Sequence, residues 1–232
     1  MDNIKHIFWD LDNTLWDYRA NSSVTLESLY GEFEIEKKFG TAFSEFHEIY
    51  KGVNDQLWEW YRNQEISKDE LLSRRFPDAF EKSRIPSQDF SEKFNNQFHL
   101  QMTNPGILVE GAEEILEYLN EKYQMHVLSN GFEEITNRKI NTTSLKKYIQ
   151  SITTSEGAGV PKPDPKAFWL AMENSGASVQ ESLYIGDDWI ADMIGATNFG
   201  MKAIFFNPLH EKHEWIDGVP IIYQLKELKK YL

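Results

Sequence analysis

The sequence predicts an α/β fold, a doubly wound parallel sheet, with an all-helical segment inserted after the first strand. Three observations predict it. The apolar run IKHIFW at 4–9 breaks at once into acidic and turn-forming residues, the pattern of a buried strand. Residues 17–103 then carry long polar and aromatic stretches of helical character, with no convincing strand. From Asn104-Pro105-Gly106 onward, short apolar runs alternate with helical segments, as parallel strands joined by crossovers do.

In chain order, the strand at 4–9 ends at Asp10. The inserted segment contains EFHEIYKGVNDQLWEWYRN and SKDELLSRRF, both of helical pattern. Beyond it the expected elements are a helix at 112–122, a strand at 123–129, a helix at 133–141 and a short strand near 151–155. A helix at 165–174, a strand at 182–186, a helix at 189–198 and a strand at 202–206 follow. The expected division is a core of residues 1–16 and 104–232 and a helical domain of residues 17–103, which 232 residues can accommodate.

Composition narrows the function. The 24 basic and 37 acidic side chains leave a formal charge of −13, which disfavours a nucleic acid polymer as partner. There is no cysteine, so disulfides, thiolate catalysis and Cys-based metal sites are excluded. Acidic residues interrupt the N-terminal apolar run, and no stretch approaches the roughly 20 apolar residues of a membrane span. The expectation is a cytoplasmic protein with no membrane partner.

In a sheet of this kind ligands bind at the carboxyl ends of the strands. Those ends carry Asp10-Leu11-Asp12-Asn13-Thr14, Ser129-Asn130-Gly131, and Gly186-Asp187-Asp188 with Asp192 beyond. Between the last two lies Gly159-Val160-Pro161-Lys162-Pro163-Asp164-Pro165. Taken singly, each has an ordinary explanation as a turn, a cap or a surface loop. Together they make a site. Residues two apart in extended chain project to one side, so Asp10 and Asp12 can face one ligand. Carboxylates gathered at one edge repel, and a divalent cation relieves this; an all-oxygen site suits Mg²⁺. The backbone N–H groups of Asn130 and Gly131 suit phosphate oxygens near a helix start. Lys162 is restrained between two prolines, and Asp164 and Pro165 read as the N-cap and first residue of the next helix. The six histidines show no metal spacing tied to the acidic cluster.

These motifs, in this order, resemble the haloacid dehalogenase superfamily, whose phosphatases show Asp-x-Asp-x-Thr, a Ser or Thr ending strand two, a Lys, and Gly-Asp followed by another Asp. The stretch Glu156-x-x-Gly159-x-x-Lys162-Pro163-Asp164-Pro165, with Phe168 behind it, is similar to the branch whose Rossmannoid core carries a helical cap between the first two motifs. The resemblance implies an aspartyl-phosphate formed on Asp10, with Asp12 as general acid and then base, and Ser129 and Lys162 on the phosphate. It implies Mg²⁺ held by the Asp10 side chain, the Asp12 backbone carbonyl and the Asp187 side chain. Asp188 and Asp192 would stand behind the metal, although one of them could instead cap the helix near Trp189.

In the inserted segment, Val53-Asn54-x-x-Leu57-Trp58-x-x-Tyr61, continuing through Ile66 and Leu71 to Arg75-Phe76, resembles bacterial pyrimidine 5'-nucleotidases. That implies a small phosphorylated metabolite, a nucleoside 5'-monophosphate, as substrate, with Asn54, Trp58 and Arg75 as contacts. The ordinary readings stay open: Trp58 and Tyr61 as packing between helices, Arg74 and Arg75 as a solvated face paired with acids. Phosphatases of sugar phosphates are the neighbouring alternative. Dehalogenation is disfavoured by Asp12, and a phosphomutase by the lack of a hinge sequence near residues 15–25. A phospho-ligand-binding module without chemistry would have lost Asp10 or Lys162.

Overall fold

The computed structural model describes residues 3–213 and 216–232. The chain forms two compact units, one of Met1–Tyr18 with Gly106–Leu232 and one of Arg19–Pro105. The first two residues of the expected core segment lie outside the described residues.

The first unit begins with β1 (His6–Trp9), two residues shorter at its start than the apolar run suggested. The chain then passes through the second unit, where α1 (Tyr18–Glu32), α2 (Ile35–Phe39), α3 (Phe43–Arg62), α4 (Lys68–Lys82) and α5 (Ser91–Gln101) follow one another. Back in the first unit come α6 (Ala112–Asn120), β2 (Gln124–Ser129), α7 (Glu133–Asn141), β3 (Ile149–Thr154), α8 (Ser155–Ala158) and α9 (Pro165–Ser175). They lead to β4 (Ser182–Gly186), a π-helical turn at Trp189–Ile194, α10 (Gly195–Phe199), β5 (Lys202–Phe206) and the two-residue β6 (Ile221–Ile222). The last strand is too short to leave a periodic signal in the sequence.

The sheet has six strands in the order β3-β2-β1-β4-β5-β6, and every pairing is parallel. Its central strands are buried on both faces, which is why β1, β2 and β4 read as continuous apolar runs rather than alternating ones. The order reverses direction at β1, flanked by β2 on one side and β4 on the other. This switch point is where crevices open at the carboxyl edge of such sheets.

The helical unit is held by aromatic packing. Phe46, Tyr50, Phe76, Phe80, Phe94 and Phe98 are buried, with ring centroids 4.9 Å apart for Phe46–Phe80 and for Phe76–Phe94. These residues recur four apart within α3, α4 and α5, so one face of each helix is apolar. Ser67 and Glu70 form a reciprocal capping box that starts α4. Among the described residues, no helix is long and apolar enough to cross a membrane.

Candidate active site

The carboxyl ends of β1, β2 and β4 deliver the residues that the sequence singled out. Asp10 follows β1 directly, and its backbone N–H donates to the Ile185 carbonyl of β4 (2.8 Å), so the acid is fixed at the switch point. Ser129 ends β2, and Asp187 follows the last residue of β4. Thr14 is buried and its hydroxyl donates to Asp187 Oδ1 (3.3 Å), tying the first loop to the fourth strand's end.

Lys162 comes from the loop between α8 and α9. Asn130 holds that loop with its side-chain amide: its Oδ1 accepts from the Lys162 backbone N–H (2.7 Å) and its Nδ2 donates to the Lys162 carbonyl (3.0 Å). Glu156, in the same segment, accepts from the backbone N–H of Glu133 (2.9 Å) at the start of α7, where a carboxylate complements the helix dipole. Asp164 caps α9 through the Lys166 N–H (2.9 Å), with Pro165 in the first turn, as the sequence indicated.

The Lys162 ammonium has three donors and three partners: Asp10 Oδ1 (2.7 Å), Asp192 Oδ1 (2.6 Å) and the Tyr184 hydroxyl (2.7 Å). The Tyr184 hydroxyl in turn donates to the Leu128 carbonyl (2.9 Å). Lys162 is 1% exposed and Asp192 is fully buried, so each charge depends on the others for compensation. Burial pushes the Asp10 carboxyl up to about 7 despite the pull of Lys162 in the opposite direction, with Asp192 adding to the rise. Burial likewise raises Asp192, and Lys162 opposes it. Burial alone would lower Lys162, but the carboxylates of Asp10 and Asp192 outweigh it and hold the ammonium well above its ordinary range.

Two of the open readings separate here. Asp188 accepts from the backbone N–H groups of Ile190 and Ala191 (2.9 Å each), so it caps the π-helical turn. Asp192 instead turns back toward the site, accepting from the Asp188 N–H (3.0 Å). The single helix expected at 189–198 is divided for this reason: the wider turn carries Asp192 under the end of β4 before α10 begins. Gly186 makes room for it, because a Cβ there would lie 2.2 Å from Asp192 Oδ2.

One carboxylate oxygen from each of Asp10, Asp187 and Asp192 lies within 4.8 Å of the others, a group that could hold a metal ion. Oxygen donors only, with excess negative charge, suit a hard divalent cation. Asp12 follows two residues after Asp10 in the same loop. Gly131 lies close to Asp12: a Cβ there would be 2.8 Å from Thr136 Oγ1, 3.1 Å from Ser129 Oγ and 3.6 Å from Asp12 Oδ2. Any side chain there would crowd Thr136 and Ser129, and the Gly131 N–H itself donates to Ser129 Oγ (3.0 Å).

Two participants were not singled out in the sequence. Lys139 of α7 is buried and forms an ion pair of 2.5 Å with Asp12 Oδ1. Helical spacing was its available signal, since Thr136, Lys139 and Ile140 fall on the buried face of α7. Tyr184 read as an ordinary strand residue.

The cap candidates belong to the second unit. Asn54 is buried in α3, and Trp58 meets Tyr61 edge to face at 5.7 Å, both half-buried. Arg74 pairs with Asp78 (3.1 Å), as expected of a solvated helix face. Arg75 departs from that expectation: it is 2% exposed, its guanidinium stacks over Phe98 (4.9 Å) and Phe76 (5.2 Å), and it meets His99 Nε2 at 2.8 Å.

Comparison with known proteins agrees with this geometry. The chain is 28% identical over 228 residues to the pyrimidine 5'-nucleotidase PynA of Streptococcus pneumoniae, covering 97% of this chain and 93% of that protein. It is 27% identical over 228 residues to the pyrimidine 5'-nucleotidase YjjG of Escherichia coli, covering 97% and 96%. The structure of the putative HAD-hydrolase YfnB from Bacillus subtilis, bound to magnesium, superposes with a TM-score of 0.88 at 21% identity, over 99% of this chain and 98% of that one. The family described as haloacid dehalogenase-like hydrolase matches residues 7–206, nearly the whole span from β1 to β5. The chain therefore belongs to the haloacid dehalogenase-like hydrolase family.

Proposed function

We propose that this hydrolase is a magnesium-dependent phosphomonoesterase that acts on nucleoside 5'-monophosphates, pyrimidine ones foremost, through an aspartyl-phosphate on Asp10. The observation that carries the reading is the convergence of Asp10, Asp187, Asp192 and Lys162, with Asp12 and Ser129 beside them, at one end of one sheet. The names of the two nucleotidase relatives support the substrate class.

In this reading the side chains of Asp10 and Asp187 and the backbone carbonyl of Asp12 hold the metal. When bound, Mg²⁺ neutralises charge on the substrate phosphate and on the clustered carboxylates. Lys162 does the same from the protein side, its ammonium already fixed on Asp10. An Asp10 oxygen attacks phosphorus while the bond to the leaving oxygen breaks, and Asp12 gives that oxygen its proton. Water then attacks the acyl phosphate; Asp12 takes its proton, and Asp10 is regenerated with release of inorganic phosphate. Ser129 and the N–H groups of Asn130 and Gly131 bind phosphate oxygens without reading the leaving group. Within the segment 17–103, Asn54, Trp58 and Arg75 are the residues assigned to recognition of the nucleoside.

Release of phosphate from a panel of nucleoside monophosphates and sugar phosphates, with Mg²⁺ and after chelation with EDTA, tests the reading. The expected result is metal-dependent turnover with the highest kcat/KM on pyrimidine 5'-monophosphates. Undiminished turnover in excess EDTA would overturn the metal assignment, and preference for a sugar phosphate the substrate assignment.

A further inference from the structure

Lys139 lies on α7, the helix that begins just after Ser129-Asn130-Gly131. Its ammonium is 2.5 Å from Asp12 Oδ1, 4.4 Å from the centre of the Trp16 ring and 5.5 Å from that of Tyr18. The residue is 2% exposed. Burying an ammonium costs several kcal/mol unless a partner compensates it, so a lysine on this face of an amphipathic helix requires its carboxylate and its aromatic wall.

Both partners belong to the loop that carries the catalytic acids. That loop is tied to itself by Asn13 N–H to the Trp16 carbonyl (2.7 Å) and Trp16 N–H to the Leu11 carbonyl (2.9 Å). Trp16 also bridges to Asp12 and to Leu108. Lys139 thus joins the loop at two points, the Asp12 carboxylate and the Trp16 ring. It does so from the helix that follows the phosphate-binding turn.

The two oxygens of Asp12 have separate surroundings. Oδ1 is held by Lys139. Oδ2 is the oxygen on the Gly131 side, 3.6 Å from where a Cβ on that glycine would be, with Ser129 Oγ 3.1 Å from the same point. A carboxylate fixed through one oxygen cannot rotate its other oxygen away without breaking its ion pair with a buried ammonium.

We propose that Lys139 is a positioning residue, anchoring Asp12 through Oδ1 so that Oδ2 is presented to the leaving-group oxygen. The inference rests on the phosphomonoesterase reading above. In the first half-reaction the Asp10–phosphorus bond forms, the ester P–O bond breaks, and the proton on Asp12 Oδ2 passes to the leaving oxygen. In the second, the water oxygen bonds to phosphorus, the Asp10–phosphorus bond breaks, and Oδ2 recovers a proton from that water. Lys139 exchanges no proton in either step. Its contribution is therefore realised only where Asp12 is needed.

The test is a double-mutant cycle of Lys139→Met and Asp12→Asn, read on a nucleoside 5'-monophosphate and on p-nitrophenyl phosphate, whose leaving group needs no proton. Lys139→Met is expected to lower kcat on the nucleotide by about 10²-fold, the lower range for a lost general acid, with a smaller loss on p-nitrophenyl phosphate and little change in KM. Beside Asp12→Asn it should cost less than about 3-fold more, because the group it acts through is already gone. Equal losses on both esters, or a full additional loss beside Asp12→Asn, would overturn the assignment in favour of a merely structural lysine.

Should Lys139→Met not fold, judged by its circular dichroism and thermal transition, Lys139→Arg enters the same cycle. Full activity, or a loss that vanishes beside Asp12→Asn, supports positioning; a loss that persists there refutes it. The underlying reading is separable. It fails if wild-type protein releases phosphate from no ester, whereas a leaving-group bias in Asp12→Asn without one in the Lys139 variants sinks the Lys139 assignment alone.

Discussion

The ammonium of Lys162 lies 2.7 Å from Asp10 Oδ1 and 2.6 Å from Asp192 Oδ1, so one buried cation is shared by two buried acids, one following β1 and the other following β4. A single charge bridging two others is a sensitive arrangement. Removing Lys162 leaves both acids without compensation in a medium that water scarcely reaches.

Asp10→Asn tests the proposed nucleophile. The amide keeps the shape of the side chain and can still accept from Lys162 through its oxygen, but it cannot form the acyl phosphate. Turnover should disappear while the far-ultraviolet circular dichroism spectrum is unchanged. Near wild-type phosphate release by this variant would remove the mechanism.

Lys162→Met should be costly to the fold as well as to activity, because it strands Asp10 and Asp192. A loss of about 3–5 kcal/mol is expected from denaturant titration, as for other broken buried pairs. Adding Asp192→Asn to Lys162→Met should recover part of that loss. A double variant no more stable than Lys162→Met would show that the two groups are not coupled.

Gly186→Ala places a methyl 2.2 Å from Asp192 Oδ2 and should destabilise by about 1–3 kcal/mol, the usual range for overpacking, while displacing Asp192 from Lys162. Gly52→Ala is its control. That glycine lies inside α3 with nothing within 4 Å of the added carbon, so the change should stabilise by about 0.5–1 kcal/mol. Thermal unfolding of the two variants must move in opposite directions.

His126 predicts an acid limb of stability. It is buried in β2, stacked on Phe8, with Nδ1 2.8 Å from Ser151 Oγ and Nε2 3.1 Å from His6 Nδ1. Burial, with His6 adding to it, lowers its pKa from the ordinary 6.5 to about 4; burial also lowers His6, which Lys5 and Glu181 influence in opposite senses. The folded state therefore keeps His126 neutral where the unfolded chain would protonate it. Stability is complete above about pH 6.5 and declines as the pH falls toward 4. In His126→Gln the difference in unfolding midpoint between pH 7.5 and pH 5 should shrink. An unchanged difference would exclude this histidine as the cause.

Much of the site was legible because its signals are local. Asp10, Ser129 and Asp187 each stand where an apolar run stops, and Lys162 is marked by flanking prolines and by the cap at Asp164. The alternation of strand and helix carried the parallel sheet for the same reason, since each crossover must return the chain to the same edge.

What escaped was set by contacts between distant segments. Lys139 looked like any helical lysine until α7 brought it against Asp12, 127 positions away in the chain. Tyr184 became a partner of Lys162 only when β4 paired beside β1. The burial of Arg75 among Phe76, Phe98 and His99 likewise depends on α4 packing against α5.

By itself, then, the amino-acid order determined the alternating elements, the strand ends and the acids, serine and lysine standing on them, because periodicity and turn chemistry act over a few residues. Only the folded arrangement decided which charges neutralise one another. Asp188 spends its carboxylate on the amides two and three residues ahead, Asp192 turns back to Lys162, and Lys139 takes Asp12. Burial of Lys139, Lys162 and Asp192 makes their pairings obligatory: a charge removed from water must find its counterpart in space, whatever the distance between them along the chain.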